Sequence, residues 1–186
     1  MGGIKDHPPC LALVAAFSRY DLALDWLVAQ VESQLGPIAM QSQRYEFSES
    51  AYYQPTMGEG LKKQFFVLER FYDPSKLASD KLLANQLEID FAASHPTEEV
   101  RPLNVDPGYF SLTKLVLAST KNREHRVYLR EGVYGEVTLA YRDQKWQPMQ
   151  WTYPDYQRED FRLFFESARQ HLLRQMRSME KPIQKN

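Results

Sequence analysis

Two stretches of this 186-residue chain hold residue types that do chemistry at useful spacings. Asn104 and Asp106 stand directly before Pro107-Gly108, and His125-Arg126 leads into a short apolar run followed by Glu136. A guanidinium is a planar fork of donors that grips phosphate or carboxylate, so Arg126 is a candidate anion ligand, with Arg101 and Lys121 as further cations. Asp106 and Glu136, joined by Glu88, suit acid–base work or the holding of Mg²⁺. The imidazole of His125 titrates near neutrality and suits a proton carrier. Each residue also has a plain structural role open to it. Arg126 and Glu136 can form a cross-strand ion pair on a solvated face, worth roughly 0.2–1 kcal/mol. Asp106 can cap turn amides, and His125 can be a satisfied edge histidine.

Periodicity says which elements must carry these groups. Residues 11–17 read as a buried first strand. Asp21 serves as the N-cap of a helix to about Leu35, in which Leu24, Val28, Val31 and Leu35 recur at helical spacing before Gly36-Pro37 stops it. A strand over 38–47 follows, then a loop whose Tyr52, Tyr53 and Met57 either line a ligand mouth or cover an edge. Residues 63–72 are a strong strand. Asp73-Pro74 opens a second helix as N-cap and first-turn proline. Its apolar stripe is Leu83, Leu87 and Phe91, while Lys81, Asn85 and Glu88, spaced four and then three apart, form an opposite stripe. With a fourth strand near 100–105, the order β-α-β-β-α plus strand is the split βαβ, ferredoxin-like order. Asp106-Pro107-Gly108 then reads as a rigid turn, with proline pushing Asp106 toward extended backbone and Gly108 free to take positive φ.

An antiparallel meander follows over 114–148. KLVLAS is apolar on both faces and should be a central strand, and Lys121-Asn122 reads as a hairpin turn. Arg130-Glu131-Gly132 reads as a three-residue hairpin loop ending in a left-handed glycine. That register sets Leu129 against Val133, Tyr128 against Tyr134 and Arg126 against Glu136. One face then carries Val127, Leu129, Val133, Val137 and Leu139, and the other Arg126, Tyr128, Tyr134, Glu136 and Thr138. A two-residue turn would mix the faces and is rejected on that ground. WTYPDY, residues 151–156, precedes a last helix over 158–178 and is expected to pack it onto the sheet. No repeat or long linker interrupts the chain, so residues 1–186 are read as a single domain of class α+β: a ferredoxin-like core extended by the meander and a C-terminal helix.

Composition excludes several functions. Apolar residues make up 43% and charged residues 25%, the balance of a globular chain. A net charge of -1 gives no whole-molecule field for nucleic acid or membrane. One cysteine and four histidines rule out an intramolecular disulfide and disfavour a Cys- or His-rich metal site. CLALVAAF is too short and poorly flanked for a signal peptide, Asp6 departs from a myristoylation signal, and no apolar run spans a membrane, so a cytoplasmic address is expected. The G-x-x-x-x-G-K-[ST], G-x-S-x-G and H-E-x-x-H motifs are absent.

Several longer motifs carry a resemblance. YYQPTMGEGLKKQF, NQLE, RPLNVDPGY, KLVLASTK, HRVYL, GVYGEVTL and WTYPDY occur in the order found in a bacterial and archaeal family, the domain of unknown function 4416. The resemblance covers about residues 8–175. This chain has Thr56-Met57-Gly58 where the family pattern has Glu-Met-Gly, Ala84-Asn85 where it has Thr-Asn, and Tyr134-Gly135-Glu136 where it has Tyr-Ala-Glu. The resemblance brings no mechanism with it.

The reading that best joins these signals is a cleft for an anionic small molecule, a nucleotide or phosphorylated metabolite. Tyr53, Asn85, Glu88, Arg101, Asn104, Lys121, Arg126, Tyr128 and Tyr134 would bind it, and Asp106, His125 and Glu136 would act on it, with Mg²⁺ as an optional cofactor. Two other readings stay open. Lys121, Arg123, Arg126 and Arg130 interleaved with Tyr128 would suit a single-stranded nucleic acid. The basic last helix and the KPIQKN tail would suit a protein partner. Carboxylates among the basic groups favour the small molecule over an open basic surface.

Overall fold

All eight residues of β1 (Leu11–Ser18) are buried, the mark of a strand covered on both faces. The computed structural model describes residues 2–47 and 53–180, so Tyr52 and the KPIQKN tail lie outside the described residues. After β1 come α1 (Asp21–Gln34), β2 (Ile38–Gln41), β3 (Tyr45–Phe47), the single turn α2 (Gln54–Met57), β4 (Leu61–Phe71) and α3 (Leu77–Ser94). The chain continues through β5 (Asn104–Phe110), β6 (Lys114–Ser119), β7 (Val127–Arg130), β8 (Val133–Arg142), β9 (Lys145–Pro148) and α4 (Glu159–Glu180). The nine strands of the described residues make one sheet in the order β2-β4-β1-β5-β6-β8-β7, with β3 also on β4 and β9 also on β8. Every pairing is antiparallel, and the fold class is α+β.

The period-2 alternation of β1 divides the core. Ala12, Val14 and Ala16 pack with Leu24, Leu27 and Val31 of α1 and with Ala84, Leu87 and Phe91 of α3. Leu11, Leu13 and Ala15 face the other way, onto Phe161, Phe165, Ala168 and Leu172 of α4. Fully burying a side chain of this size contributes about 1.5–3 kcal/mol, so both layers are held mainly by apolar burial. No helix among the described residues is long and apolar enough to cross a membrane.

Several expected elements are corrected. The strand expected over 38–47 is two strands, β2 and β3, both laid against β4. Asp21 is not the N-cap but the first helical residue, and its carboxylate bonds Lys62 and Arg44 instead. The fourth strand lies at Asn104–Phe110, not 100–105, so Pro107-Gly108 is inside a strand and Gly108 has no positive φ. A glycine is required there for another reason: a Cβ would sit 2.3 Å from the Val116 carbonyl oxygen of β6. Lys121-Asn122 does not close a hairpin, because β8 lies between β6 and β7 and residues 120–126 must cross the sheet end.

The β7–β8 turn is also revised. Glu131 and Gly132 have φ of 51° and 75°, which makes it the two-residue turn with Arg130 opposite Val133. A register shift between Tyr128 and Arg130 then restores Tyr128 opposite Tyr134 and Val127 opposite Gly135. The bulge thus reconciles a two-residue turn with the expected tyrosine pairing. The apolar face drawn through β7 does not exist: Val127 is 69% and Leu129 42% exposed. As the last strand of the sheet, β7 is exposed along its whole length.

Candidate functional site

The ladder between β5 and β6 covers only Gly108–Phe110 against Leu115–Leu117, although both strands continue past it. Beyond Gly108 the two strands part, and among the described residues that edge of β5 has no strand partner. A buried amide and carbonyl left there would each cost about 1–3 kcal/mol. The α3 stripe supplies the partners. Glu88 Oε1 accepts from the Val105 N–H at 2.7 Å, and Lys81 Nζ donates to the Val105 carbonyl at 2.8 Å. Side chains from one helix stripe thus stand in for a missing strand.

The parting opens a cavity of about 450 Å³ at the sheet end where β1 and β6 finish and β4, β5 and β8 begin. Such a volume is in the range of small-molecule sites, about 300–1,000 Å³. Ion pairs brace its wall. Lys81 Nζ donates to Asp106 Oδ1 at 2.9 Å, and Asn104 Nδ2 donates to Asp106 Oδ2 at 2.7 Å. Lys63 donates to Asp155, both side chains being almost fully buried, and its ammonium lies 4.2 Å from the centroid of the Tyr156 ring. Arg126 Nε donates to Glu136 Oε2 at 2.7 Å.

Arg126 does more than pair. Its Nη1 donates to Ser119 Oγ at 2.7 Å and to the Lys121 carbonyl at 2.8 Å, and its Nη2 donates to Tyr153 Oη at 2.9 Å. One buried guanidinium therefore ties the β6–β7 crossing to β8 and to the 3₁₀ turn Pro154–Gln157 that precedes α4. His125 Nε2 lies 3.0 Å from Glu136 Oε2, and its ring stacks on Trp151 at 5.2 Å.

Arg101 is held from behind. Glu88 Oε2 accepts from its Nε at 3.0 Å and its Nη2 at 2.7 Å, and Asn104 accepts a further bond. The Arg101 N–H also donates to the Thr56 carbonyl at 3.0 Å, which pins α2 beside the cavity. There Tyr53 meets Phe17 edge-on with centroids 4.7 Å apart, and together with Phe47 they form an aromatic wall.

Electrostatics sorts these groups. Burial raises the Asp106 pKa, but Lys81, Asn104 and Lys63 outweigh it and leave it below the ordinary carboxylate value. The Asp106 side chain is nevertheless 30% exposed, because it faces the cavity. It is an ionised acceptor at neutral pH. For Glu88, burial outweighs Arg101 and Lys81, and the pKa is raised. Burial, with Asp106 and Tyr153 nearby, holds the Tyr53 phenol well above its usual value, so it keeps its proton.

Of the residues singled out in the sequence, Tyr53, Asn85, Arg101, Asn104, Asp106, Lys121, Arg126 and Glu136 meet on this one cavity wall. His125 and Glu88 stand one layer back, touching Glu136 and Arg101. Tyr128 and Tyr134 are not on the wall; they pack edge-on against each other, 5.4 Å apart, on the β7 edge. Lys63, Arg123, Tyr153, Asp155 and Tyr156 line the cavity without having been assigned to it. A lysine and an aspartate set among aromatics, in KQFF and in YPDY, were the available signal.

Mg²⁺ does not fit this donor set. Asp106, Glu136 and Glu88 are each committed to a cationic side chain. Among the described residues no group of three or more His, Cys, Asp or Glu side chains is placed to hold a metal ion.

No curated protein and no solved structure matches the chain. The model of one family, the domain of unknown function DUF4416, matches residues 8–172, nearly the whole length, and the chain belongs to that family.

Proposed function

We propose that this protein binds an anionic small molecule, a nucleotide or phosphorylated metabolite, in the cavity where β5 and β6 part. The observation that carries this reading is the charge of the wall. Among the described residues, six cationic side chains, Lys63, Lys81, Arg101, Lys121, Arg123 and Arg126, share the wall with three carboxylates, Asp106, Asp155 and Glu136, in a chain whose net charge is -1. The aromatic wall of Phe17, Phe47 and Tyr53 offers a flat apolar part of the ligand a surface to lie on. Asp106, ionised and facing the cavity, accepts a hydrogen bond from a ligand hydroxyl or amine; in a reaction it is the group suited to take a proton. Glu136, with His125 beside it, holds Arg126 in place rather than acting on the ligand.

The concave wall, with carboxylates among its cations, favours this reading over an open, basic nucleic-acid surface. A cytoplasmic setting for such a ligand, and a ferredoxin-like description of the β2-β4-β1-β5 half with both its helices on one face, belong to the same proposal. The test is calorimetric titration of the full chain with ribonucleotides, sugar phosphates and di- and tricarboxylates. Saturable one-to-one binding of a phosphorylated compound is expected. Binding of single-stranded RNA alone, with a steep salt dependence, would replace the reading with the nucleic-acid one.

A further inference from the structure

The cationic groups of the wall are not equivalent, and removing the ion pairs shows which are available. Lys63 is held by Asp155, Lys81 by Asp106 and Arg126 by Glu136, and each of these cationic side chains is at most 5% exposed. Arg101 is held by Glu88 and Asn104. Each of these charges is matched by a carboxylate. An incoming anion would have to compete with a buried carboxylate to use the inner three. The β6–β7 crossing contributes a further cation to the wall, Arg123.

Arg123 is exposed, and among the described residues its guanidinium takes part in no side-chain hydrogen bond or ion pair. Its backbone carbonyl, however, accepts from the Arg126 N–H at 3.0 Å, so the segment that carries it is fixed. Four bonds from the buried Arg126 side chain fix the same crossing at Ser119 and Lys121 and tie it to Glu136 and Tyr153. The crossing thus presents an uncommitted fork of donors on a braced backbone. Asn85 of α3 also lines the cavity, and Asp106 turns a partly exposed carboxylate into it.

We infer that Arg123 binds the anionic group of the ligand at the cavity rim, while Asp106 and Asn85 take hydroxyl groups at its other end. This rests on the reading of the cavity as a small-molecule site and narrows the ligand to a phosphorylated polyol, a sugar phosphate or a ribonucleoside phosphate. Arg126 is then a positioning residue that holds the crossing and does not touch the anion.

The experiment is titration of wild type, Arg123→Gln and Arg123→Lys with the ribonucleoside 5′-monophosphates, ribose 5-phosphate and the matching unphosphorylated nucleosides, beside thermal melts. Arg123→Gln should bind the phosphorylated probes about tenfold or more weakly, since a charge-assisted contact is lost. Arg123→Lys should recover part of the loss, nucleoside affinity should be unchanged, and all three proteins should melt together. Phosphorylated probes that bind Arg123→Gln as tightly as wild type would overturn the assignment of Arg123 alone. No binding of any probe to wild type would overturn the cavity reading and this inference with it.

Discussion

Lys63 and Lys81 on the inner wall are each 5% exposed and each held by a carboxylate, whereas Arg123 on the crossing over the rim is exposed and has no such partner among the described residues. The same kind of charge thus serves two ends. On the inner wall it closes buried pairs and strand edges, and its loss falls on the fold. On the rim it is open to solvent, and its loss should fall on a ligand. A cation on a cavity wall is therefore not by itself a binding residue; what it is already bonded to decides.

Breaking a buried pair should give the largest effect. Lys63→Ala leaves the Asp155 carboxylate, in a residue 4% exposed, without its cation. A loss of about 3–5 kcal/mol of unfolding free energy is expected in urea titrations. The double variant Lys63→Met/Asp155→Leu should recover most of it, because well-packed apolar residues often replace a buried pair at little cost. A loss for Lys63→Ala within the range of a surface pair would break the comparison at its inner end.

Arg126→Ala comes next. It leaves Glu136, 4% exposed, with only His125 beside it and unties Ser119, Lys121 and Tyr153 together. About 3 kcal/mol of destabilisation is expected, with faster amide exchange over residues 119–126. Gly108→Ala should cost about 1–3 kcal/mol by overpacking, since its methyl would meet the Val116 carbonyl; chemical denaturation measures it. Parting strands that give way without cost would show a looser β5–β6 junction than the one described here.

Two carboxylates sharpen the comparison through pH. The Asp106 pKa is lowered in the fold, so its contribution is present above the unfolded value of about 3.9 and lost as pH falls through the folded value. The Glu88 pKa is raised, so its contribution is present below about 4.3 and lost as pH rises through the folded value. Asp106→Asn should therefore flatten the acid limb of a stability–pH curve, whereas Glu88→Gln should flatten the opposite slope above it. The smallest effect on stability is expected of Arg123→Gln, within about 0.5 kcal/mol, as for a surface change.

Much of this was legible in the sequence because it is local. The β1 run, the α3 stripe of Lys81, Asn85 and Glu88, and the α4 apolar stripe each follow from one periodicity. The pairing of Tyr128 with Tyr134 was legible too, although the turn that produces it was not, since a bulge and a two-residue turn leave no mark distinct from a three-residue loop. What escaped depends on long-range placement. Asp106-Pro107-Gly108 has the composition of a turn, and only the close approach of β6 shows that Gly108 belongs inside a strand. Lys63 and Asp155 are 92 residues apart, and nothing local announces that they meet. Tyr128 and Tyr134 looked like site residues because they flank Arg126 and Glu136, but they fall on the uncovered edge.

If a phosphorylated small molecule occupies the cavity between the parted strands, its anion lies on the β6–β7 crossing. Amide NMR of the uniformly labelled chain, titrated with the tightest-binding phosphorylated probe, tests this most directly. Saturable shifts are expected at 104–106, at Ser119, Thr120 and Arg123 and at Tyr53, while α1 and the β7 edge at Tyr128 stay unmoved. Shifts confined to the β7 edge or to α1, with the crossing and β5 silent, would contradict it.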